Sequence, residues 1–101
     1  RIEMAHGVAE RLLKQADSTE ERLDLLFKLL TSRSPTKREA EACNTLLSIM
    51  LERFEAAPND ALELLAIGEN TRDESLDAET LAAWTQIAVT VLASDPAILV
   101  Y

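Results

Sequence analysis

The chain contains little of the material from which disulfides, metal sites and phosphate-binding loops are made. Its 101 residues include one cysteine, two glycines, three prolines and four aromatic residues. A single cysteine excludes an internal disulfide and a zinc site built on paired cysteines, and it leaves the redox compartment open. Two glycines leave almost no room for a glycine-rich phosphate loop, and no GxGxxG, GxSxG or HExxH motif is present.

Positive charge is also scarce, and it is unevenly distributed. Residues 1–53 carry 9 basic and 9 acidic side chains, whereas residues 54–101 carry 1 basic side chain, Arg72, and 9 acidic ones. Nucleic-acid binding depends on lysines and arginines that neutralise phosphates, so we expect neither nucleic acid nor an anionic membrane surface as a partner. The acidic half is interpreted as a soluble face or as a docking surface for a basic protein.

Long apolar runs are missing as well. The most apolar segment, IAVTVLA, is far shorter than the roughly 20 residues that a membrane-spanning helix needs. Alanine, leucine and glutamate are abundant instead, and together with the few turn residues they favour helices. We therefore predict one all-α domain over residues 1–101, a compact antiparallel bundle of about five helices with short loops. The start at Arg1 and the apolar end predict that the chain is an excised piece of a longer polypeptide.

Capping residues predict where the second and third helices begin. Ser18 with Glu21, and Thr36 with Glu39, match the S/T-x-x-E pattern of the capping box, in which the hydroxyl and the carboxylate each accept a backbone N–H. The second helix should end before Pro35, because the residue preceding a proline disfavours helical geometry.

Two further helices are predicted in the acidic half. Asn59 or Asp60 is expected to cap a short helix with the sequence ALELLAI, which Gly68 ends as a left-handed residue. Asp77 is expected to cap the last helix, and the Asp95-Pro96 dipeptide to end it.

Apolar residues at helical spacing predict the buried face of each long helix. These faces are Met4, Val8, Leu12 and Ala16; Leu23, Leu26, Phe27 and Leu30; Ala40, Cys43, Leu47, Met50 and Phe54; and Leu81, Trp84, Ala88, Val91 and Leu92.

The stretch GENTRDESLDAETLAAW, residues 68–84, places five carboxylates around one arginine. An EF-hand loop needs glycine at position 6 and glutamate at position 12. A loop starting at Asp73 puts Ala78 and Trp84 there, and a start at Asn70 fails too, so we expect a solvated loop without Ca²⁺. Four of its residues form a candidate interaction surface: Glu69, Arg72, Asp73 and Glu74.

Three other side chains could serve as functional groups: Trp84, Cys43 and His6. Trp84 lies on the apolar stripe of the last helix and is expected in the core, the alternative being an exposed recognition residue. Cys43 is expected to pack rather than to act as a nucleophile, since no histidine is close in sequence. His6 is expected to be exposed rather than a metal ligand, because a metal site needs further ligands that the chain does not offer.

A carboxylate pair for glycoside hydrolysis is disfavoured by the shortage of aromatic residues. No catalytic, metal-binding or cofactor-binding residue is therefore predicted.

Two segments resemble a known family. LLFKLLTSRSPTKREAE and LLAIGENTRDESLDAETLAAWTQIAVTVLASD are similar to the C-terminal planctomycete-specific domain of unknown function found in large proteins that also carry cytochrome c-like modules. The likeness extends over residues 9–95. Its most specific part is the Leu-Asp-x-x-x-Leu-Ala-Ala-Trp-Thr pattern of residues 76–85. The chain departs from the family at the end of the last helix, where Ala93 replaces an asparagine and Pro96 stands where an acidic residue is common.

The resemblance implies a setting rather than an activity. It places the domain at the C-terminus of a large exported or periplasmic protein, with the upstream domains of the same chain as its partners, and it supplies no catalytic residue. We therefore expect a non-catalytic structural or protein-interaction module without a cofactor. The alternative is an accessory domain that completes an active site or substrate site formed by upstream domains. The oligomeric state stays open.

Overall fold

The computed structural model describes residues 2–65 and 76–94, and these residues form five α-helices with no β-strand among them. The predicted all-α fold is therefore confirmed. The helices are α1 (Ile2–Gln15), α2 (Thr19–Thr31), α3 (Lys37–Ala56), α4 (Pro58–Leu65) and α5 (Ala78–Ser94).

The last helix, α5, occupies the centre of the bundle. It packs against α1, α3 and α4 and, less extensively, against α2. Its sequence explains the position, because no charged side chain occurs between Thr80 and Ser94. A helix that is apolar nearly all round is stable only when it is covered on all sides. The side chains of α5 that are almost fully buried are Leu81, Ala82, Ala83, Trp84, Thr85, Ile87 and Ala88.

The inner face of α1 agrees with the prediction at Leu12 and Ala16, which are buried, but it also uses two small residues that were not predicted. Ala5 and Ala9 are fully buried together with Leu12, whereas the predicted Val8 is only half-buried. Alanines let the backbones of two helices approach closely, which suits the extensive contact between α1 and α5. The prediction that His6 is exposed is wrong, since the residue is 3% exposed.

The inner faces of α2 and α3 agree with the predicted stripes. On α2 the buried side chains are Leu23, Leu26 and Phe27, and Leu30 is half-buried. On α3 the buried side chains are Cys43, Leu47 and Phe54, and Ala40 and Met50 pack against the core from its edge.

The predicted caps of α2, α3 and α5 are present, with one variation at α2. Thr36 and Glu39 form the complete capping box. At α2 the Ser18 hydroxyl accepts the Glu21 N–H at 3.1 Å, but the Glu21 carboxylate accepts from that hydroxyl at 3.0 Å instead of from the backbone. Asp77 caps α5 by accepting the N–H of Thr80 at 3.0 Å.

The start of α4 was predicted too late. The helix begins at Pro58 rather than after Asn59 or Asp60, and the Asp60 N–H donates to the carbonyl of Ala57 at 2.9 Å. Proline is well suited to the first helical position, because the N–H it lacks has no partner there and its φ is already helical. None of the described helices combines the length and the apolar character needed to cross a membrane.

Candidate functional site

The candidate interaction surface predicted from sequence, Glu69, Arg72, Asp73 and Glu74, lies outside the residues that the structure describes, as does Gly68. These predictions therefore stay predictions. The C-terminal part of the stretch, residues 76–84, is described: Asp77 is the cap of α5, and Trp84 is 1% exposed in the core.

The thiol of Cys43 is a packing group. It is buried in the core cluster at 9% exposure. Burial raises its pKa, and the carboxylate of Glu39 adds to the rise. Because the thiolate is the reactive form of cysteine, this environment disfavours nucleophilic chemistry.

His6 and Glu10 form a polar pair on neighbouring turns of α1. The His6 Nε2 atom lies 3.3 Å from the Glu10 Oε2 atom, and the two side chains are 4% and 20% exposed. The distance alone would allow a hydrogen bond, yet Nε2 has no hydrogen-bond partner among the described residues, so the two groups are close but poorly aligned. Sequence reasoning missed this burial because the stripe it assigned to the core, Met4, Val8, Leu12 and Ala16, does not include position 6.

The turn between α2 and α3 holds the densest polar network. The Arg33 guanidinium donates to both carboxylate oxygens of Glu39, at 2.8 and 2.9 Å, and lies 5.8 Å from the centroid of the Phe27 ring. Glu39 also accepts the Thr36 N–H at 2.9 Å. The Arg33 hydrogen bonds, followed by the Thr36 N–H, lower the pKa of Glu39 to about 2.

A second group of side chains ties α2 to the same turn. Asp24 pairs with Lys28 at 2.8 Å and accepts from the Ser34 hydroxyl at 2.7 Å. The Lys28 hydrogen bond, followed by that of Ser34, lowers the pKa of Asp24. The open hollow beside these groups has a volume of about 410 Å³ and is also lined by Glu20 and Lys37. Several of its polar groups already bind one another or the neighbouring side chains, so they stabilise the turn.

A smaller hollow of about 250 Å³ lies where α3, α4 and α5 meet, and we call it the three-helix hollow. Its lining residues are Arg53, Phe54, Asp60, Glu63, Leu64 and Gln86. Sequence reasoning missed this group because its members are distant in sequence and share no motif. They come together only when the three helices pack.

Three large apolar side chains are exposed among the described residues. Leu29, Ile49 and Leu62 are 36%, 52% and 45% exposed, and each belongs to a different helix. Single exposed apolar residues are normal on protein surfaces and need no functional explanation.

Within residues 2–65 and 76–94, no group of three or more His, Cys, Asp and Glu side chains is placed to hold a metal ion. Compared with known protein families, with curated proteins and with solved structures, the chain matches none significantly.

Proposed function

We propose that this chain is a non-catalytic structural or protein-interaction module at the C-terminus of a larger exported protein. The observation that carries the proposal is that three carboxylates are engaged in hydrogen bonds that support the backbone or the turn between α2 and α3. Glu39, Asp24 and Asp77 each bind groups at a helix terminus or at the turn between two helices. Such contacts stabilise the backbone. Because they also stabilise the charged form of each carboxylate, these groups are unsuited to proton transfer near neutral pH.

The position of α5 supports the same proposal. The most apolar helix is enclosed by the others, and its Trp84 side chain is 1% exposed in the core. A bundle of this kind presents a fixed outer surface to neighbouring domains. The family resemblance given above adds the setting, in which those neighbours are the upstream domains of the same polypeptide.

The test is a deletion of residues 1–101 from the parent polypeptide. We expect the remaining protein to keep any turnover it has, but to lose thermal stability or its assembly with other proteins. Calorimetry and sedimentation velocity measure these losses. Adding the separately produced chain should restore them if the contact is non-covalent and specific.

A different result would contradict the proposal. If the deletion abolished turnover while the melting temperature and assembly of the remaining protein were unchanged, the accessory-domain interpretation would replace it. Unaltered stability, assembly and turnover would contradict both.

A further inference from the structure

We draw no further inference here: the strongest candidate, the side-chain pair that His6 and Glu10 form on neighbouring turns of α1, offers two metal-ligating groups on a single helix, and no third ligating side chain joins them within the part of the chain that the structure describes.

Discussion

Ser32 is the non-glycine residue with a left-handed backbone in the described structure, at φ 62°. It ends α2, where its N–H donates to the carbonyl of Lys28 at 3.2 Å. Helices commonly end on a left-handed residue, and glycine is preferred there because a Cβ atom costs about 1–2 kcal/mol in this conformation. The contact that ends the helix is made by the backbone and does not need the serine side chain.

Ser32→Gly is therefore expected to stabilise the chain. We predict a rise of about 0.5–1 kcal/mol in the free energy of unfolding, since relief of strain exceeds the added freedom of the unfolded chain. Urea denaturation followed by circular dichroism measures it. Ser48→Gly, at an exposed position inside α3, should have the opposite sign and lower stability by about 0.5 kcal/mol. A loss of stability in Ser32→Gly would argue against the left-handed geometry.

His6 illustrates at the same scale what sequence could not predict. Helical periodicity assigns the inner face of α1 from its larger apolar residues, and this led to Met4 and Val8. The structure leaves Val8 half-buried and fully buries Ala5 and Ala9, because alanine permits close packing against α5. The chosen face depends on the partner helix, and that information is absent from the sequence of α1 alone.

At the scale of elements, the turn between α2 and α3 should make stability depend on acid. Hydrogen bonds from Arg33 and Thr36 lower the pKa of Glu39 from 4.5 to about 2. Because the folded state favours the charged carboxylate, its contribution is complete above pH 4.5 and is lost as the pH falls toward about 2. The side chain is about a third exposed, so solvent reduces the contribution.

We predict that Glu39→Gln lowers stability at neutral pH and makes the decline of stability in acid shallower. Urea unfolding at a series of pH values down to about 2 measures both effects. Some decline should remain, because the pKa values of Asp24 and Asp77 are also lowered by their hydrogen bonds. Glu41→Gln, on the exposed face of the same helix, is the control and should leave the slope unchanged. An unaltered slope in Glu39→Gln would refute the assignment.

A second prediction at this scale concerns the effect of enlarging an alanine of the central helix, α5, on stability. Ala83 is fully buried on α5, whereas Ala93 on the same helix is exposed. Ala83→Leu is expected to lower the free energy of unfolding by about 1–3 kcal/mol, because the enlarged side chain has no space between closely packed helices. Ala93→Leu adds the same atoms and should change stability by less than about 0.5 kcal/mol. Equal effects in chemical denaturation would show that α5 is not enclosed.

The starts of helices could be predicted from the sequence where neighbouring residues determine them. The capping box at Thr36 and the cap at Asp77 each involve two residues three positions apart, and both are present. The start of α4 was misplaced because Asn59 and Asp60 match the preference for a capping residue, whereas proline also suits the first turn of a helix. The three-helix hollow depends on contacts among distant residues, so no local signal could predict it.

At the scale of the whole molecule, one core joins all five helices. The buried cluster contains residues from every helix, and Trp84 of α5 is its largest member. Helix α1 packs mainly against α5 and α2, so its buried side chains belong to the shared core. Elements that share one core are expected to unfold together.

We therefore predict a single cooperative transition. Helix content followed by circular dichroism and the environment of Trp84 followed by fluorescence should give the same urea midpoint, because the indole loses its cover only when the helices separate. Ala83→Leu should move both midpoints by the same amount, whereas Ala93→Leu should move neither. If fluorescence changed at lower urea than helix content, the helices would be persisting after the core opens, and the bundle would consist of separable parts rather than one unit.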